Sequence, residues 1–538
     1  MSKKALLENK INSAGITFID LFSGCGGFSF GLEKAGLKCR AAIDFDESAT
    51  KTFQKNHPHV PHVLWRDLTK FGPKGLDAFL KQERIDLVVG GPPCQGFSKA
   101  RQADGANHGE RLIDDPRRYL YRDFLKFVKY YQPKMFVMEN VLGIRSAAGG
   151  EFFTRVQAES RDLGYRVIAH VVEAWRFGVP QKRVRQLIIG TRRELPMFIP
   201  DRYLRPSHAL FTELGANELE PVVTLGEAIG DLPALDAGEE SYELPYDLQR
   251  RAMHLTRYGN RFLRGILEVE QASKLTGHVA RPHSARDLRD FARLNEGENS
   301  KGAIARGEQM EFPYDRDSFK DRFTRQHRNE LCSTIVAHLK KDGLMFIHPT
   351  QQRSLTPREA ARIQTFPDTF ELAPSRSAAF NEVGNAVPPL VGTAVGKALV
   401  QYLAEAERLF KLPDMESDLV PKTRKSAIRL VESFLDSTSF SHISRISQQQ
   451  FLSVWWAVGY VHPHLHPDAA AENGRELSPG PKRGVSLVME PIYVRSGWPV
   501  DLVPLATEAR RRFDAGMMSE DEYYCSLAVV AGAGGGAG

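Results

Sequence analysis

The chain has 538 residues, 42% hydrophobic and 26% charged, with a net charge of +6 and a pI of about 8.9. That size provides for more than one domain, and the composition is that of an ordinary soluble globular protein. Cys25, Cys39, Cys94, Cys332 and Cys525 form neither a CxxC metal pair nor a secreted disulfide framework. Met1 to Lys10 has no apolar signal core, and no later apolar run of 18 or more residues suggests a membrane span. A reducing, cytoplasmic setting is expected, and the basic balance fits a polyanion partner without demanding one.

From Ile16 to Thr191 short β-rich runs alternate with amphipathic stretches. Strands are predicted at Ile16–Phe22, Cys39–Phe45, Asp86–Val89, Met135–Met138, Tyr165–Val172 and Arg185–Ile189. Helices are predicted at Phe28–Ala35, Glu47–Asn56, Tyr119–Tyr131 and Phe152–Leu163. The alternation implies an α/β fold on a largely parallel sheet, whose ligands sit beyond the carboxyl ends of the strands.

After Pro196–Arg205 that rhythm is lost. Residues 201–250 hold 3 basic and 11 acidic side chains, whereas 251–350 hold 18 and 13. Phosphate contacts need Lys and Arg, so the second stretch is expected to face nucleic acid and the first to face away. The α/β texture returns at Leu355–Leu403. Beyond about Pro413 helical periodicity appears near Ser426–Phe434 and Gln450–Gly459, and Ala531–Gly538 holds only Ala and Gly and is expected to be disordered.

Several segments carry chemistry. Phe18–Phe28 reads as a strand, a glycine turn and a helix start, so that the backbone can approach a ligand and offer free N–H groups. Asp44 closes the next strand 20 residues after Gly24, where a carboxylate can accept from ribose hydroxyls. There is no GxxxxGK[ST] loop and no Lys near the helix start, which favours an amino-acid-bearing nucleoside over a nucleotide phosphate.

Gly90–Ser98 follows the apolar run Ile85–Val89 and presents the Cys94 thiol at a sheet edge. Thiolate is the reactive form, and a free Cys, with a pKa of about 8.5, is only slightly ionised at neutral pH. Met138-Glu139-Asn140-Val141 adds a carboxyl at another strand end, and alternation in Gln181–Arg185 sends Arg183 and Arg185 to one face. Taken singly, these are an inert buried Cys, a cap and a solvated edge. Together and in this order they describe a site.

These segments resemble the cytosine-C5 DNA methyltransferase family. The resemblance runs over about residues 16–405 and continues in Arg353–Pro367 and in the closing motif Asn381–Pro389. Val223–Pro233 and Cys332–Pro349 are similar to segments of bacterial members. It implies a Rossmann-like, S-adenosylmethionine-dependent methyltransferase domain with a smaller DNA-recognition domain inserted before the last motifs. The implied boundaries are 1–205 and 351–412 for the catalytic domain and 206–350 for target recognition. Residues 413–538 form a mostly helical extension that the family does not explain.

The resemblance also assigns residues. Phe22 would stack on adenine, Asp44 would hold the ribose, Phe45 would cover the other adenine face, and Asp67 would contact the adenine amine. Asp20, Gly24, Gly26, Gly27, Pro92, Leu120 and Asn385 would complete the cofactor site. The family's usual acid at the ribose position is Glu, so Asp44 is a shorter substitute. Cys94 would add to C6 of a cytosine flipped out of the duplex, and Glu139, buried in the base pocket, would serve ring N3. Arg183 and Arg185 would organise the nucleophile's surroundings.

Ser98, Lys99, Arg101 and Arg111 belong to a basic loop that would close over DNA, and Thr334 to a TI signature beside the target strand. Base-reading side chains are expected between about 255 and 330. His462–Pro467 reads as a proline-rich turn, and no metal is expected. The implied partners are double-stranded DNA and, functionally, a cognate restriction endonuclease, with the chain acting as a monomer. Two readings stay open beside this one. A tRNA cytosine methyltransferase of the same fold is disfavoured by the large 206–350 insert. A catalytically silent DNA-binding module is disfavoured by intact Cys94, Glu139, Arg183 and Arg185.

Overall fold

A computed structural model describes residues 15–93, 119–145, 150–192, 195, 198, 200–210, 219–239, 261–269, 275–312 and 323–410. Its seven main strands are β1 (Thr17–Leu21), β2 (Lys38–Asp44), β3 (His62–Trp65), β4 (Leu87–Gly90), β5 (Met135–Asn140), β6 (Tyr165–Glu173) and β7 (Val184–Arg192). They form one sheet in the order β3-β2-β1-β4-β5-β7-β6. The helices among them are α1 (Gly27–Lys34), α2 (Glu47–Asn56), α3 (Pro73–Leu80), α4 (Leu120–Tyr131) and α5 (Glu151–Asp162).

All six predicted strands and four predicted helices are present. β1 pairs in parallel with β2 and β4, β2 with β3, and β4 with β5. Leu87, Val88, Val89, Phe136, Val137 and Met138 are fully buried, as continuous apolar runs in a sheet covered on both faces should be. The strand order reverses between β1 and β4, which is where such sheets bind ligands.

The sequence reading passed over β3 and α3. β3 is an edge strand of four residues with no fully buried position, so it carries no hydrophobic pattern. α3 had signals: Pro73 at its start and Leu76 and Leu80 one turn apart, both buried.

Later in the chain come the helices α6 (Leu225–Ile229), α7 (Ala285–Ala292), α8 (Ser300–Ala305), α9 (Pro357–Ile363), α10 (Arg376–Asn385) and α11 (Pro389–Phe410). Two hydrophobic clusters form among them. Phe291, Leu294, Ala303, Met310, Phe312, Phe323, Leu344 and Ile347 form a small core of their own. Leu225, Ile229, Leu232, Cys332, Ile335 and Phe346 instead share a core with α9, α10 and Cys25 of the glycine turn. Residues from several parts of 206–350, Leu275 among them, therefore pack with α9 and α10 rather than with the small core. The chain divides into two compact units, Met1–Gly190 with Tyr203–Gln401, and Thr191–Arg202 with Tyr402–Gly538.

Every residue of α9 is buried, and Thr356 and Glu359 close its first turn as a capping box. Arg353 grips Glu359 with two hydrogen bonds of 2.8 and 2.7 Å. Arg358 donates to the carbonyls of Thr276, Pro367 and Phe370. Beside them lies buried His348, whose Nδ1 accepts from the N–H groups of Thr350 and Gln351 at 3.1 Å each. A protonated Nδ1 could not accept.

Burial, opposed by Glu359 and aided by Arg353, holds His348 down to about 3. The unfolded chain therefore takes up a proton first, below about 6.5, and stability is lost as pH falls from there toward about 3. This one group is expected to remove about 2 kcal/mol between pH 6.5 and about pH 5. Urea midpoints across that range should show the slope, and His348→Asn, which keeps an acceptor near the Nδ1 position, should flatten it. An equal slope in the variant would refute the assignment.

Candidate active site

Register sets the site. Leu21 lies level with Ile43 and Gly90, and Gly90 lies level with Met138. The next residues along these strands, Phe22, Asp44, Gly91 and Glu139, therefore emerge at one edge of the sheet, at the switch point.

The turn after β1 is tightly wound. Phe22 has φ +59°, a left-handed conformation uncommon for a bulky residue, and Gly24 and Gly26 have φ +55° and +96°. A Cβ on Gly26 would lie 2.6 Å from His57 Nε2 and 2.7 Å from Phe53, and one on Gly27 would lie 2.5 Å from the Val387 carbonyl oxygen. Gly26 and Gly27 are thus glycines for packing. Gly24 alone of the three faces open space, with nothing within 4 Å of its ideal Cβ. It is the glycine placed to admit a ligand.

Asp44 accepts from the N–H groups of Gly24 and Asp46, each at 2.8 Å, and so ties the glycine turn to the end of β2. Burial raises its pKa, and those N–H groups oppose the rise. Phe45 is 65% exposed, and its carbonyl accepts from the indole N–H of Trp65, which is 51% exposed. Two large aromatic side chains thus stand exposed at adjoining strand ends. Asp67 is exposed and accepts from the backbone and hydroxyl of Thr69, which hold its pKa down. Leu120, partly buried, opens α4, and Asn385, exposed, ends α10.

Asp20 is 1% exposed and accepts from the Ser29 hydroxyl at 2.6 Å, and burial pushes its carboxyl up to about 7. That bond ties β1 to the first turn of α1.

At the end of β5, Glu139 Oε1 lies 3.0 Å from Arg185 Nε, with only 12% of the Glu139 side chain exposed. A Cβ on Gly91 would lie 3.5 Å from Glu139 Oε2, which puts the carboxylate against the turn leading to Cys94. Buried Asn140 donates to the Pro92 carbonyl at 3.4 Å and accepts from the Val141 N–H. From the sequence alone no role is assigned to that Asn. Its place directly after Glu139 was the available signal for a role in holding the turn.

The two arginines part company. Arg183 is buried and donates to the carbonyls of Ile335 and Ala386, each at 2.9 Å. Burial and the neighbouring Arg185 cation work against its charge, while Glu139 works for it. It joins the start of β7 to the returning motifs, whereas Arg185 faces the carboxylate. Gln181, fully buried, reinforces the junction. It accepts from Ile335 N–H at 3.0 Å and donates to Gln364 Oε1 at 2.7 Å. Thr334 donates its hydroxyl to the Lys182 carbonyl at 2.7 Å, which secures the TI segment beside these arginines. Cys94, Ser98, Lys99, Arg101 and Arg111 lie outside the described residues, as does all of 413–538.

The family model for C-5 cytosine-specific DNA methylases matches residues 16–401. The chain belongs to this family. It is a DNA cytosine-5-methyltransferase, 33% identical over 403 residues to the type II methyltransferase M.DdeI of Desulfomicrobium norvegicum, covering 72% of this chain and 89% of that protein. It is 31% identical to M1.HphI of Haemophilus parahaemolyticus, over 72% of this chain and 87% of the relative. A solved structure described as a DNA modification methyltransferase encoded within an E. coli prophage superposes with a TM-score of 0.55 at 26% identity. The match covers 72% of this chain and 99% of that one. No described helix is long and apolar enough to cross a membrane.

For a DNA methyltransferase the arginines of the insert matter, and most described ones face inward or hold carboxylates. Arg289 and Arg293 share Glu311, Arg306 holds Glu298 and Glu308, and Arg328 grips Glu296. Buried Arg325 donates to the carbonyls of Phe291, Leu294 and His348. Among the described residues of 251–350, much of the arginine charge is thus paired with the stretch's own carboxylates.

Proposed function

We propose that this methyltransferase moves a methyl group from S-adenosylmethionine to C5 of a cytosine flipped out of double-stranded DNA, through a bond between Cys94 and ring C6. The observation that carries the reading is the Glu139–Arg185 pair set against the Gly91–Pro93 turn, after which the next residue is Cys94.

The cleft suits the cofactor. Gly24 leaves room for a main-chain approach, Phe22, Phe45 and Trp65 offer apolar surface to an adenine, and Asp44 retains acceptor sites for ribose hydroxyls. When bound, S-adenosylmethionine supplies an electrophilic methyl carbon on a sulfonium. Asp67, Pro92, Leu120 and Asn385 are assigned to the rim of the same site.

The chain's own groups prepare the base. The Cys94 thiolate adds to C6, forming the S–C6 bond and shifting the ring's electrons toward C5 and N3. Glu139 hydrogen-bonds N3 and offsets the charge that gathers there, with Arg185 fixing the carboxyl's orientation. Asn140 holds the Pro92 carbonyl and so keeps the turn in register with β5. Loss of the C5 proton later re-forms the C5–C6 double bond and expels the thiolate, restoring the enzyme.

Recognition is assigned to the small core around Phe291, Phe312 and Phe323 and to residues between about 255 and 330, with Ser98, Lys99, Arg101, Arg111 and Thr334 at the DNA. The type II relatives support a restriction-modification role, with a cognate endonuclease as functional partner and a monomer acting in the cytoplasm.

Duplex DNA containing 5-fluorocytosine tests the mechanism, because fluorine at C5 blocks the final elimination. With S-adenosylmethionine present, the wild type is expected to form a denaturation-resistant adduct and Cys94→Ser none. An adduct only on tRNA, or none on either substrate, would overturn the proposal.

A further inference from the structure

Behind the glycine turn, away from the base site, Glu33 of α1 meets two histidines that follow α2. His57 Nδ1 lies 2.7 Å from Glu33 Oε2, and His59 Nε2 lies 2.7 Å from Glu33 Oε1. The three potential donor atoms all fall within 4.8 Å of one another. We propose that His57 Nδ1, His59 Nε2 and the Glu33 carboxylate bind a divalent transition-metal ion of the Zn2+ class, which braces α1 against α2.

The donor set decides the class of ion. Two imidazoles and one carboxylate suit zinc and its neighbours, whereas magnesium and calcium prefer oxygen donors throughout. The arrangement also has one closed and one open side. His57 is 1% exposed, stacked on Phe53 at 4.2 Å between centroids, with its Nε2 turned to Gly26 and without a hydrogen-bond partner. That ring is fixed and presents only Nδ1 to the cluster. His59 is 63% exposed, so solvent reaches the outer side, where water can complete a tetrahedral shell.

In the metal-free protein one carboxylate bridges two rings, which holds the same three side chains in place for the ion. Because His57 packs on Gly26, an ion here stiffens the turn that admits the methyl donor without touching it.

Full-length protein stripped with chelator and titrated with Co2+ is the direct test, since four-coordinate Co2+ gives intense ligand-field bands. One equivalent is expected to bind, to be displaced by Zn2+, and to raise the melting temperature. His59→Ala, at an exposed position, should weaken binding by about tenfold or more while leaving the circular dichroism unchanged, and Glu33→Gln should do the same. His62→Ala, outside the cluster, should bind as the wild type does. No tetrahedral band in the wild type would overturn the site. Equal binding by His59→Ala and Glu33→Gln would also overturn it and place the ion elsewhere, for instance on His462, His464 and His466.

Discussion

Glu139→Gln is expected to lower kcat by about 10²–10⁴-fold, the usual effect of removing a general acid or base, with DNA binding and folding retained. Glutamine has nearly the same shape, so the contact with Gly91 and the packing around Arg185 persist. In the mechanism proposed above, what is lost is the group that delivers a proton or a charge-assisted hydrogen bond to N3 as sulfur adds to C6. Single-turnover methylation on a saturating duplex separates this step from binding. Adduct formation on 5-fluorocytosine DNA should slow in parallel, because that mechanism has Glu139 act before methyl transfer. A variant with near wild-type single-turnover rates would remove Glu139 from the mechanism.

The largest stability effect is expected at Arg362. It is fully buried, donates to Asp231 and Asp368 and to the Ala228 carbonyl, and so pins α6 and the segment after α9 to one another. Burial works against its charge, and the two carboxylates more than offset that. Arg362→Met keeps most of the volume but leaves buried Asp231 without its cation and Asp368 with only the more distant Arg358, 3.9 Å away. Breaking such a buried arrangement costs about 3–5 kcal/mol. Urea denaturation followed by intrinsic fluorescence measures it. The comparison is Arg306→Ala, which removes surface pairs with Glu298 and Glu308 and should shift the midpoint little, because water screens them. Equal midpoints for Arg362→Met and the wild type would refute the claim.

The elements that build the site were legible because their patterns are local. A short apolar run closed by turn-forming or polar residues announces a buried strand, whatever lies beside it: β1 runs into Ser23-Gly24, β4 into Gly91-Pro92 and β5 into Glu139-Asn140. The motifs could be placed at strand ends for the same reason, and the parallel register then brings Phe22, Asp44, Gly91 and Glu139 to one edge. The edge strand β3 escaped notice because a strand with no fully buried face has no periodicity to read.

Roles were harder to read than elements. Gly24, Gly26 and Gly27 look alike in sequence, yet two are required by His57, Phe53 and Val387 and only Gly24 opens on the cleft. Arg183 and Arg185 are two residues apart, and one fastens the returning chain while the other meets Glu139. Asp20 sits in the same motif as Phe22 but is buried against Ser29 of α1.

The sequence by itself determined the α/β alternation, the order of the motifs and the residue types available for chemistry, since these depend on neighbours a few positions apart. Only the tertiary structure decided which of those residues face the cleft and which hold it together. That choice depends on contacts between segments as distant as Gln181 and Gln364, whose pairing no local pattern encodes.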